Sequence, residues 1–192
     1  MYAFMLGFSR FMTWLGGAVL VVLIFISGIS IAGRLLNGFF HGAFMKSLAP
    51  GFAEWAIAAG VGPVTGDFEL VEAGMAFAVF AFLPLCQITA GHATVDVFAG
   101  FLPSGVNRFL RMVIEIVFAA VLVVIAVQLF SGMLDKMKNG ETSFLIAYPI
   151  WWAYAFSLFA AAAAAIVALY MAAVRTYEFL TRRTLIADGT EV

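Results

Sequence analysis

The sequence predicts an all-α integral membrane protein: four transmembrane helices with short interfacial amphipathic helices, forming a single membrane domain over residues 1–192. Two observations predict it. Of the residues, 65% are hydrophobic and 11% charged, where soluble domains carry about 45–50% and about 25%, and the mean hydropathy is +1.08. The charges also cluster, leaving apolar stretches long enough to cross roughly 30 Å of hydrocarbon, which takes about 20 helical residues. Because lipid offers no partner for open backbone groups, each crossing must be a helix.

The first span is expected over about residues 11–33, between Arg10 and Arg34. Its length exceeds that of a cleavable signal's apolar core, so it is expected to be retained. The second covers about 68–89, with Glu69 and Glu72 in its opening turns, the third about 106–134, and the fourth about 148–174. A tail over 175–192 follows. Residues 35–67 are rich in glycine and aromatics, and their longest uncharged run is too short to cross. They are expected at the interface as one or two short helices lying flat, with Phe39, Phe40, Phe44 and Trp55 toward the acyl chains, or else as a re-entrant hairpin. Val95, Phe98, Ala99 and Leu102 fall on one helical face, which predicts a short amphipathic helix over 94–102.

Basic residues in the short flanks set orientation. Arg10, Arg108, Arg111, Arg175, Arg182 and Arg183 share one side of a four-span chain, and Arg34, Lys46, Lys136 and Lys138 the other. This bias places both termini in the cytoplasm. Ten basic against eleven acidic residues leave a net charge of −1, which gives no footprint for nucleic acid. A single cysteine, Cys86, excludes an internal disulfide and dithiol redox chemistry.

Few polar residues remain as candidates. Glu69 and Glu72 are read as interfacial side chains that pair or anchor a partner or lipid headgroup. Arg111 and Glu115, four apart, are read as a weak surface or interhelix contact without a catalytic role. Gln87 and Gln128 are candidates for hydrogen bonds across the bundle, and Gly16, Gly17, Gly28, Gly33 and Ala160 to Ala165 for close helix approach. His41 and His92 could together ligate a haem, so a haem-binding electron-transfer subunit is the alternative function.

In order and spacing, the landmarks resemble the small permease subunit of tripartite ATP-independent periplasmic (TRAP) transporters, the DctQ-like family. The resemblance starts with Gly33-Arg34-Leu35-Leu36-Asn37 and the Glu69 and Glu72 pair. It sharpens in Gly91-His92-Ala93-Thr94-Val95-Asp96, Leu102-Pro103 and Arg108, and again in Gly140-Glu141-Thr142, Tyr148-Pro149, Trp151-Trp152 and Tyr154. Phe68 stands where the family often has tryptophan, and Ser157 near a position where proline often interrupts the last span.

The resemblance implies a non-enzymatic scaffold subunit in a bacterial inner membrane. Its partners would be a large permease subunit, a periplasmic substrate-binding protein and membrane lipids, with no nucleic acid. Uptake would be of an organic acid such as a carboxylate, driven by sodium; this chain would hold no cofactor, metal or substrate, since sodium is expected to bind the large subunit. Arg34, Glu69, Glu72, His92, Asp96, Arg108, Thr142, Pro149, Trp151, Trp152 and Tyr154 are the expected interface or structural residues. Lys136, Lys138 and Glu141 are the expected docking residues for the binding protein.

Overall fold

A computed structural model describes residues 1–89 and 104–181. Its helices are α1 (Tyr2–His41), α2 (Ala43–Leu48), α3 (Pro50–Ala58), α4 (Asp67–Ile88), α5 (Ser104–Asn139) and α6 (Trp151–Thr181). Four of them, α1, α4, α5 and α6, are long and apolar enough to cross a membrane. Each overlaps one expected span. The segment expected as an amphipathic helix over 94–102, with His92, Asp96, Arg182 and Arg183, lies outside the described residues.

The helices do not stop at the charges that delimit the apolar stretches. Helix α1 runs through Arg10 and Arg34 for 40 residues, about 60 Å at 1.5 Å per residue. It stops at Gly42, whose extended backbone carries an N–H bonded to the Phe39 carbonyl at 3.1 Å. Helix α6 likewise continues to Thr181. Residues 175–181 are therefore helix rather than tail, because Arg175 and Glu178 are paired inside the bundle instead of in solvent.

After α1 the chain folds back through α2 and α3. Phe39, Phe44 and Trp55 are exposed as an interfacial reading requires, but Phe40 is buried with Ala53 and Ala56. The reason is that α3 returns over the end of α1, and Phe40 becomes the core of that small hairpin, edge-on to Phe52 at 5.8 Å. The turn before α4 then presses on α1. A Cβ at Gly33 would come within 2.1 Å of the Gly62 carbonyl oxygen, so only glycine admits this approach.

The long helices pack in the order α1, α4, α6, α5. Helix α6 is the hub: 56% of its most apolar stretch is buried, against 17% for α1 and for α5. Its alanines explain this. Ala160, Ala161, Ala163, Ala164, Ala165 and Ala168 are all buried, and small side chains let helix backbones approach closely where lipid removes any hydrophobic drive between helices. Met12, Phe77, Ala81, Ala160 and Ala163 knit α1, α4 and α6 together, while Ala119, Leu122, Ala164 and Ala168 join α5 to α6. At Gly16 an added Cβ would lie 2.9 Å from that of Ala81, while Gly17 and Gly28 have no such neighbour.

Candidate functional site

The up-and-down course of the helices gives the bundle two ends. One, the loop end, holds the end of α1, the start of α4, and the α5–α6 connection. The other, the N end, holds the start of α1, the end of α4, the start of α5 and the end of α6. Each end carries a polar cluster.

At the loop end, α4 begins after Gly66, whose φ of 76° is left-handed. A Cβ there would lie 2.2 Å from Cγ1 of Ile146. Asp67 accepts a hydrogen bond from Ser30 Oγ at 2.5 Å and faces Arg34 at 3.7 Å, while the Ser30 hydroxyl accepts from the Val64 N–H at 3.2 Å. Arg34 also lies over the Phe68 ring at 5.9 Å, so Phe68 supplies the aromatic face at this position. Arg34 thus ties α1 to α4 within the chain.

Glu69, in the first turn of α4, holds the connection between α5 and α6. Its carboxylate accepts from the backbone N–H groups of Leu145 at 2.7 Å and Ile146 at 3.0 Å, and from Ser143 Oγ at 2.8 Å. Tyr148 donates to the Glu69 carbonyl at 3.4 Å. The connection itself closes on backbone bonds, Ser143 N–H to Tyr148 O at 2.8 Å and Ile150 N–H to Glu141 O at 3.0 Å, with Thr142 bridged to Pro149. Ala147 takes a φ of 57° at the turn. Thr142, Pro149 and Glu69 are therefore brought together, and Trp151 and Trp152 follow edge-to-face at 6.0 Å. Tyr154 packs against Gly132 of α5, where an added Cβ would lie 2.8 Å from its ring.

Lys136 donates to Glu141 at 2.6 Å and Asn139 to the same carboxylate at 3.1 Å. Those bonds, the Lys136 one foremost, hold the Glu141 carboxyl below its ordinary range. Of the expected docking residues, Lys136 and Glu141 satisfy one another, and Lys138 is exposed without an ion pair among the described residues. Glu72 is exposed as well and shares none of the Glu69 partners. Both glutamates border a cavity of about 550 Å³ between α4, α5 and α6.

The N-end cluster is buried. Gln87 of α4 donates from its amide to Glu115 of α5, and Arg175 of α6 pairs with Glu178 one turn on at 2.8 Å. Exposures of 2%, 8%, 7% and 3% for Gln87, Glu115, Arg175 and Glu178 put four polar side chains from three helices in the interior. Gln87 fulfils its expected role across the bundle, whereas Gln128 is exposed. Glu115 makes the interhelix contact rather than the surface one. Arg108 stands half-buried in the first turns of α5 at this same end, where Phe109 meets Phe179 at 5.7 Å.

The sequence reading missed Arg175 and Glu178 as core residues, since a charge after a long apolar run looks like the start of a tail. The available signal was the i, i+3 spacing of opposite charges on a continuing helix. The clusters' chemistry is that of holding. Among the described residues no three histidine, cysteine or acidic side chains converge as metal ligands. His41 closes α1 exposed, its Nδ1 2.9 Å from the Asn37 carbonyl oxygen.

No curated protein and no solved structure matches the chain. The family model described as tripartite ATP-independent periplasmic transporters, DctQ component, matches residues 58–178. That stretch contains the Glu69 pin, the loop it holds, and all four members of the buried N-end cluster, while α1 precedes it. With well over half its length matched, the chain belongs to the DctQ family of TRAP transporter components.

Proposed function

We propose that this chain is the static scaffold subunit of a TRAP transporter, clamped to a large permease subunit that carries the substrate path. The observation that carries the proposal is the division of labour among its helices. Polar groups are spent on locking the helices and their connections to one another, while the outer helices α1 and α5 leave rows of apolar side chains uncovered, such as Val21, Ile24 and Phe25, and Val117, Val121 and Val124. A wide, internally locked slab with apolar edges suits a frame against which another membrane protein moves. Its polar residues fix helices and loops, and the chemistry of transport is assigned to the partner.

In this reading the protein sits in the bacterial inner membrane with both termini cytoplasmic. The loop end then faces the periplasm, where a substrate-binding protein docks, and Lys138, held outward beside the Lys136–Glu141 pair, is the leading contact. Uptake is of an organic acid, sodium-driven, with sodium and substrate held by the large subunit. Affinity purification of the tagged chain from native membranes in mild detergent, with mass spectrometry, tests this. A much larger polytopic protein at near-equal amounts is expected; a folded chain recovered alone contradicts an obligate partnership.

A further inference from the structure

The cavity at the loop end has a layout that the scaffold reading leaves unused. It lies on the face of α6 between α4 and α5, and its volume of about 550 Å³ falls in the range of roughly 300–1,000 Å³ typical of small-molecule sites. Two of its polar side chains, Glu72 and Ser157, come from different helices. Glu72 lines it as an exposed carboxylate with no ion pair or hydrogen bond among the described residues, whereas the Glu69 beside it is taken up by Ser143, Leu145 and Ile146. Ala73, Ala76, Leu129 and Ala153 make the walls apolar.

Ser157 also lines the cavity and is 3% exposed, yet no hydrogen bond of its hydroxyl is found among the described residues. Serine and threonine in a helix commonly bond back to the carbonyl four residues earlier, as Thr13, Thr89 and Thr176 do here. Unlike Ser9 Oγ, which is buried without a partner among the described residues, the Ser157 oxygen keeps some access, and it lines a space that a ligand can fill. No lysine or arginine lines the cavity, so the charge lining it is purely acidic.

We propose that this cavity is a binding site for a membrane phospholipid with a primary ammonium headgroup, of the phosphatidylethanolamine class. The ammonium donates to Glu72. Ser157, six residues beyond Trp151 and so about 9 Å further along α6, donates to an ester carbonyl, and the acyl chain follows the alanine-lined walls. An ammonium–carboxylate hydrogen bond is charge-assisted, and an anionic glycerol headgroup would instead face the Glu72 charge. The proposal requires only that the chain is embedded in a bilayer, so it stands apart from the identity of the large subunit.

The test is native mass spectrometry of the full chain, with whatever partner co-purifies, titrated with matched phosphatidylethanolamine and phosphatidylglycerol. The expected result is one retained phosphatidylethanolamine, favoured over phosphatidylglycerol by on the order of fivefold, the factor that about 1 kcal/mol from a partly exposed charge pair gives. Glu72→Gln should bring that preference close to unity. Ser157→Ala should weaken both lipids alike, and Ala76→Phe, at an exposed wall position, should displace the lipid. Circular dichroism and gel filtration establish that each variant is folded. Equal retention of the two lipids by the native chain, an unchanged preference in Glu72→Gln, or a bound partner polypeptide with no lipid would each overturn the proposal.

Discussion

The two ends of the bundle solve the same problem with different means. At the loop end, one half-exposed carboxylate, Glu69, gathers backbone N–H groups of Leu145 and Ile146 and thereby shapes a connection between helices. At the N end, Gln87, Glu115, Arg175 and Glu178 bury charge between three helices. The first arrangement is local: it orders a loop whose groups water would otherwise satisfy. The second is global, because each buried charge depends on a neighbour and water cannot replace a lost one. The N end should therefore govern whether the helices stay together, and the loop end what they present to a partner.

The sharpest way to break this contrast is Arg175→Met, which removes the Arg175 guanidinium from beside the buried Glu178 carboxylate. Removing one member of a buried ion pair costs about 3–5 kcal/mol, so a marked fall in thermal unfolding temperature in detergent is expected. Arg175→Met with Glu178→Met should recover most of the loss, since apolar replacement of both partners can be near neutral. A single variant as stable as the parent would show that the N end is no lock.

Gly66→Ala comes next. A left-handed residue with a Cβ costs about 1–2 kcal/mol, and here the Cβ also meets Ile146. Combining it with Ile146→Ala should remove the steric part and leave the backbone part, as thermal unfolding of the pair would read out. Glu69→Gln should have a smaller and more local effect. Hydrogen exchange at Leu145 and Ile146 is expected to rise by roughly tenfold, as for local opening, with the unfolding temperature nearly unchanged. Protection lost across α4 and α6 as well would erase the distinction between the ends.

The smallest effect is that of pH on the Lys136–Glu141 pair. The Glu141 carboxyl is held below its ordinary range by Lys136 and then Asn139. Its contribution is accordingly present above the ordinary carboxylate pKa and fades as pH falls through the lowered folded value. Hydrogen exchange in residues 139–143 should quicken in that acid window, and Glu141→Gln should remove the dependence; an unchanged profile would place the pair's effect elsewhere.

Much of the fold was legible because an uncharged run of sufficient length has one structural solution in lipid. The hub role of α6 was half legible in the run Ala160 to Ala165, which marks a helix that neighbours can approach. The order α1, α4, α6, α5 was not, since helices apolar on all sides carry little information about which face meets which. Glu69 was visible as an acid at a helix start, yet its partners are backbone groups of Leu145 and Ile146, and a backbone N–H leaves no trace in the sequence. Phe40 looked like an interfacial aromatic until α3 covered it. Arg175 shows the general difficulty, because a charge bordering an apolar run can mark the membrane surface or a buried pair, and only packing decides.

The static-frame account is tested most directly by distance. Spin labels at Phe4 on α1 and Val106 on α5, both exposed and outside the apolar rows assigned to the partner, can be placed in a Cys86→Ser background of the assembled, reconstituted transporter. Pulsed electron paramagnetic resonance then measures their separation with and without sodium, substrate and binding protein. The account predicts the same distance distribution in every state while transport proceeds. A shift of several ångströms on adding sodium and substrate would contradict it, and would make this subunit part of the moving machinery.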